Sequence, residues 1–451
     1  MKFSKHGWFT QYLAFRRKNP FPAKLPTLGV KVVEDSGVHN EVDQAVYYFL
    51  QPTGLVYGAP VKLPFTDVVF PESQYHDVLD RMMLTLLDAT FAVLVTDHIY
   101  QTDGMPDYNP DYLQVATDVV SHYYLKAPEI YKPKDGFITR LKHKMFGPPD
   151  ELTRFEQNFI YRVSGGKDLS YQIFFNNFMF VDLQACVRLQ RLVLMGEELN
   201  QGLIDKVYQS IGAQREALLN LIIMAAFTNA VVEPEEKRII DQFFRTSHFS
   251  KEKLLEFRLK MENGLALENI HIPDMPWVIR RYLLEVVLMM TLLDRSISEE
   301  EEAMLSRVVE RLGLWEDELA QSRIALESFL LAQGDKLQFF KKRFHLLNVG
   351  ERFKEKAAIA VRKNVDRLVT EINETKELSA LLVKSTKTPL TPDEKKKVQE
   401  QIADILKTIP ALAIFALPGG GLILPVVIKI LPFNLMPSAF EDKPAAEEPA
   451  G

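Results

Sequence analysis

"LIIMAAFTNAVVEPEEKRIIDQFF", residues 221–244, can be laid over "VVLMMTLLDRSISEEEEAMLSRVV", residues 286–309, at an offset of 65 residues. Asn229 then falls on Asp294, Val232 on Ile297 and Glu236 on Glu301. Apolar positions coincide as well: Ile222 with Val287, Met224 with Met289, Ile240 with Leu305, Phe243 with Val308. Each copy is an apolar helix, a short polar turn and a second, amphipathic helix. Two such hairpins can bury their apolar faces against each other in an antiparallel bundle.

The same three- and four-residue apolar spacing runs outward in both directions. It predicts helices over 72–100, 111–126, 150–163, 168–195, 200–211, 214–232, 234–246, 250–262, 276–293, 299–311, 316–332, 335–347, 351–384 and 392–408. The expected fold class is therefore mainly α: multi-helix bundle domains with a helical repeat and a C-terminal broken membrane helix. Only 40–70 departs from the pattern. Its "AVYYFLQPTGLVYGAPVKLPF" mixes β-branched and aromatic runs with Pro and Gly. It is expected to be irregular, with a short hairpin around "QPTG".

Composition excludes several classes. The 451 residues are 47% hydrophobic and 25% charged, an ordinary globular mixture. A net charge of −6 argues against a surface devoted to nucleic acid, and no sequence-specific nucleic-acid partner is expected. The single cysteine, Cys186, allows no internal disulfide and sits in an apolar helical pattern as a small hydrophobe. The start, "MKFSKHGWFTQYLAFRRKNPFP", has no continuous apolar core and no small-residue cleavage site, so it does not read as a secretory signal.

Residues 1–31 carry seven Lys or Arg and no acid, and Trp8, Tyr12 and Phe15 share one helical face. Two readings stand: a helix lying on an anionic membrane surface, or a terminal helix docked on its own domain.

Candidate chemistry is sparse. "VSGGKDLS", 163–170, lacks the spacing of a phosphate loop and reads as a turn with a solvated lysine. Asp107, Asn109 and Asp111 imitate a calcium loop, but Tyr112 stands where the loop needs glycine. Asp111 reads better as a helix N-cap. The nine histidines form no ligand pair, and no nucleophile elbow appears. The chain is expected not to be an enzyme and to need no cofactor.

The repeat resembles the TerB-like family associated with tellurite resistance. Asp294-Arg295-Ser296-Ile297-Ser298-Glu299-Glu300-Glu301 carries the likeness best; the first copy has Asn229-Ala230 where that family has Asp-Gly. The resemblance implies a divalent cation held by Asp294, Glu301, Asn229 and Glu236. The residues themselves support a second reading. Ser298 and Glu301 form a capping box, and Pro234 with Glu235 and Glu236 makes a helix start.

The C-terminal approach begins with a seam of Ala358, Val361, Val365, Leu368 and Ile372, suited to an intramolecular hairpin or a coiled-coil dimer. Thr391, Pro392 and Glu394 then open a helix striped by Val398, Ile402, Ile405 and Ile409. From Thr408 to Ile428 no residue is charged. A continuous helix of that length would reach about 31 Å, close to the bilayer's hydrocarbon thickness. Pro410, Pro418 and Pro425, with Gly419, Gly420 and Gly421, break it. Freed backbone groups in lipid need partners, so the segment reads as a kinked span packed against other copies or partners, or as a re-entrant segment. A soluble terminal helix pair is the third alternative.

"DILKTIPALAIFALPGGGLILPVVIKILPFNLMPSAFE", 404–441, resembles the membrane segment of the leucine zipper–EF-hand transmembrane (LETM) family of mitochondrial inner-membrane proteins. Pro410, Pro418, Pro425, Lys429, Pro432 and the closing Pro437-Ser438-Ala439-Phe440 carry the likeness. Gly421 stands where that family has an acid between the central prolines, and the ribosome-linked region that follows the span there has no counterpart in these 451 residues. The resemblance implies membrane attachment and a role in cation homeostasis. Without the acid only Lys429 is ionisable in the segment, and its long stem suits snorkelling to the interface.

The expected organisation is a basic arm and irregular segment (1–70), an N-terminal helical domain (71–212), a TerB-like domain (213–332), a hairpin or short coiled coil (333–408), a membrane segment (409–437) and an acidic tail (438–451). Lys395, Lys396, Lys397 and Lys407 precede the segment, while Lys443 stands among four acids after it. The bulk is therefore expected on the cytoplasmic side of the inner (cytoplasmic) membrane of a bacterial cell, with a single-pass or re-entrant anchor. Three functions are compatible: a membrane-attached protein in cation homeostasis or envelope stress, an anchored ribosome- or protein-binding scaffold, and a cation/proton transporter formed by self-association. The expected partners are the lipid bilayer, further copies of the chain, and a ribosome or protein.

Overall fold

The computed structural model describes residues 3, 6–21, 41–60, 63, 78–102, 111–127, 149–164, 178–226, 234–291, 298–333, 357–385, 388–409, 412 and 427. The expected class is the observed one: the described elements are helices, with no strand among the described residues. The chain divides into two units, one comprising 1–26, 37–319 and 337–339, the other 27–36, 320–336 and 340–451.

In the first unit the helices are α1 (Trp8–Lys18), α2 (Glu41–Leu50), α3 (Val78–Thr102), α4 (Tyr112–Lys126), α5 (Glu151–Ser164), α6 (Phe178–Leu194) and α7 (Gln201–Ala226). They continue with α8 (Pro234–Ser247), α9 (Lys251–Asn263), α10 (Trp277–Thr291) and α11 (Glu299–Arg311). Helix α12 (Glu316–Gln333) starts in this unit and runs on into the second. Helices α3, α6 and α10 and the second half of α7 are buried around most of their circumference. Phe178–Leu183 of α6 and Ala217–Ala226 of α7 are unbroken buried runs. Helices apolar all round belong in a core, and these four pack in the order α3, α6, α7, α10.

Two expectations change in this unit. The stretch expected to be irregular opens as α2, followed by a 3-10 turn at Gln51–Thr53 and left-handed Gly54. Val42, Ala45, Val46, Phe49 and Leu50 are buried at helical spacing, so packing overrides the strand propensity of "VYYFL". The stretches expected as 200–211 and 214–232 join, in their described part, as one helix, α7, which runs through Gly212; 227–232 lie outside the described residues. Of the two readings of the N-terminal helix, docking on its own unit is the observed one for α1. Its buried face is Trp8, Phe9, Tyr12 and Arg16, with Phe15 only half-buried. Trp8 lies 4.6 Å from Phe3 and 5.4 Å from Phe159, ring centre to ring centre. The Glu156 carboxylate accepts from the Gly7 and Phe9 amides at the start of α1, satisfying donors that the helix leaves open.

Local signals end the helices where the residues require. Asp111 accepts from the Gln114 amide and caps α4, as expected from its sequence context. Ser250 caps α9, and Gly264, at φ 76°, closes it in a conformation that favours glycine. Cys186 is fully buried, and burial pushes its thiol pKa well up.

The core also contains charge. Asp182 on α6, with no exposed surface, pairs with Arg162 of α5 and, at 2.7 Å, with Arg215 of α7. Tyr123 of α4 donates its hydroxyl to the same carboxylate at 2.8 Å. Arg162 also donates to the Thr246 carbonyl of α8 at 2.9 Å. Burial alone would raise the Asp182 pKa, but Arg162 and then Arg215 hold it below the usual carboxylate value. His248 follows α8 at φ 55° and rests 5.5 Å from the Tyr161 ring. Burial, then the Arg162 charge, pushes its pKa down to about 3.

In the second unit, 357–363, α13 (Val365–Glu374), α14 (Lys376–Ser385) and α15 (Pro392–Thr408) are helical. The helix expected over 351–384 is interrupted at Asn364 and Thr375 within its described part. Asn364 and Thr375 turn their side chains onto the Ala360 and Glu371 carbonyls, competing with the backbone ladder. Val361, Leu368 and Ile372 of the expected seam are buried with Leu382, Val398 and Ile402, giving the seam an intramolecular partner.

Removing the central carboxylate tests this core. Asp182→Ala strands two buried guanidiniums and is expected to cost about 3–5 kcal/mol in urea unfolding. His248 gives a pH signature. The unfolded chain takes up a proton below about pH 6.5, which folded His248 refuses until about pH 3, so stability falls as pH falls through that window. His248→Asn, which tolerates the left-handed backbone, should flatten the decline in urea midpoint between about pH 7 and pH 5.

Candidate functional site

The two groups of residues singled out by sequence meet different fates. In the repeat, the helix pairs α7–α8 and α10–α11 have the expected order, but Asn229 and Asp294 lie outside the described residues. Glu236 falls on the first turn of α8, and its side chain also lies outside them. Glu301 is described and buried. Its carboxylate accepts from the Ser298 amide at 2.7 Å, and the Ser298 hydroxyl accepts from the Glu301 amide at 3.2 Å. This is the reciprocal capping box expected there. No group of three or more potential metal ligands occurs among the described residues.

The C-terminal segment is entered from α15. Thr391 accepts from the Glu394 amide and Glu394 reaches back to the Thr391 amide, with Pro392 at the first helical position. Lys384 grips Glu394 at 2.6 Å, tying α14 to the start of α15. The stripe Val398, Ile402, Ile405 and Ile409 faces the apolar cluster. Beyond it, Leu412 and Val427 are described, and both are fully buried in that cluster. Pro410, Pro418, Gly419, Gly420, Gly421, Pro425, Lys429, Pro432 and Pro437 lie outside the described residues.

One described helix is long and apolar enough to cross a membrane, and it lies elsewhere, within α3 at Asp80–Thr102. Its surroundings are those of a core helix. Asp80 accepts from the Phe3 amide, Asp88 pairs with Arg16 at 2.6 Å, and Asp97 pairs with Arg191 at 2.7 Å. Almost all of its surface is covered by the rest of the chain. Apolar spacing marks the helix but not these partners, because each lies more than seventy residues away.

Residues 390–450 match the family model described as LETM1-like, RBD. The C-terminal part of the chain is therefore LETM-like, as the proline spacing implied. The match covers under a seventh of the chain and begins at the cap of α15. No curated protein and no solved structure matches the chain.

Proposed function

We propose that this is a non-enzymatic helical protein attached to a membrane through its LETM-like segment, 409–437, and acting in cation homeostasis or envelope stress. The match at 390–450 carries the reading. The uncharged run from Thr408 to Ile428 supports it, because hydrocarbon tolerates that composition. The burial of Ile409, Leu412 and Val427 against the chain's own helices favours a re-entrant attachment over an isolated span. A proline-broken segment needs protein behind it to satisfy its backbone. The three lysines early in α15 favour placing the helical body on the cytoplasmic side of the inner membrane. The TerB-like repeat belongs to that body, with capping as the role of Glu301.

A second reading, an anchored protein-binding scaffold, is favoured by α9. Leu255 and Leu259 stand one turn apart, 59% and 50% exposed, on a helix whose fully buried residue is Phe257.

Cell fractionation tests the attachment. Full-length protein should pellet with membranes after carbonate washing, and a version ending at Thr408 should not. Because truncation also removes Leu412 and Val427 from the apolar cluster, the double variant Phe415→Lys/Leu424→Lys accompanies it and is expected to reach the supernatant. Full-length protein in the supernatant would overturn the reading.

A further inference from the structure

A cavity of about 400 Å³ opens in the first unit between α6, α7 and the segment leading into α10. That volume suits a small molecule. We propose that it binds a small zwitterion with an apolar body, of the kind an apolar α-amino acid presents.

The polar lining falls into a satisfied and an unsatisfied set. Arg191 belongs to the first: Asp97 and Asp43 both pair with it at 2.7 Å. The second set includes Arg188 and Asp274, with Gln184 and Gln214 as neutral polar neighbours. Arg188 makes one hydrogen bond, to the Ser210 hydroxyl at 2.5 Å, and pairs with no carboxylate among the described residues. Its planar fork retains donors suited to a carboxylate. One turn away on α6, the Gln184 Nε2 amide is buried with no acceptor among the described residues. Asp274 is exposed at the same cavity and forms no ion pair among the described residues.

The cavity thus offers the Arg188 guanidinium for an anion and the Asp274 carboxylate for a cation. Arg191 is matched by Asp43 and Asp97, so Arg188 and Asp274 are the charged lining groups without an ion pair among the described residues. A simple anion would meet repulsion from Asp274, and a simple cation would meet it from Arg188. A ligand carrying both charges can engage Arg188 and Asp274 together. Val187, Ile211, Met275 and Ile279, all buried, supply the apolar wall for its body.

Calorimetric titration of the full chain with L-leucine, L-methionine and L-phenylalanine tests the assignment. At least one should bind saturably. Leucinamide, which lacks the carboxylate, and 4-methylpentanoate, which lacks the ammonium group, should each bind about tenfold or more weakly than leucine if leucine is the ligand. Arg188→Ala and Asp274→Asn should weaken binding by a similar factor while leaving the thermal midpoint unchanged, since neither side chain is buried. Absence of saturable binding by all three amino acids, equal binding of either leucine analogue, or unchanged binding in both variants would overturn the proposal.

Discussion

A carboxylate can remain ionised inside a helical core only if the protein supplies what water would have supplied. Asp182 meets that constraint with two guanidiniums and a phenol drawn from α5, α7 and α4. Buried carboxylate–guanidinium pairs recur where Asp88 meets Arg16 and where Arg281 meets Glu285 and Glu318, although there burial outweighs the partners and raises the Asp88 and Glu285 pKa values. Helices that are apolar on every side can slide or rotate at small cost. A paired charge fits at one register, so these contacts fix how α3, α6, α7 and α10 meet their neighbours.

The same constraint separates two kinds of apolar segment. Helix α3 has the length of a membrane span, yet its three acids each find a partner from elsewhere in the first unit. Its apolar surface is spent on the protein's own core. The uncharged C-terminal run has no such acids. Its described residues are covered by apolar side chains, from α13, α14 and α15 among others.

Periodicity made most helices legible, because burial of one face leaves a three- and four-residue spacing that needs no distant information. Capping was legible for the same reason: Ser298 with Glu301, and Thr391 with Glu394, act within one turn. What depends on distant partners was not legible. The aromatics of α1 point to a face of Trp8, Tyr12 and Phe15, whereas Arg16 turns inward because Asp88 awaits it, 72 residues away. The β-branched and aromatic run in α2 imitates a strand until its neighbours cover it. The breaks at Asn364 and Thr375 are local hydrogen-bond competitions that apolar spacing does not register. At the C-terminus, proline spacing carries the LETM likeness, but nothing in that spacing marks Leu412 and Val427 for burial.

Nitroxide accessibility in vesicles of bacterial lipid tests most directly whether the C-terminal run meets hydrocarbon. Labels would be placed one at a time at Phe415, Leu424 and, as the α3 control, exposed Tyr100. If lipid surrounds that run, the first two labels are relaxed by dissolved oxygen and shielded from a water-soluble nickel complex, while the label at Tyr100 stays open to nickel. Nickel access at Phe415 and Leu424 equal to that at Tyr100, with or without vesicles, would contradict the membrane placement.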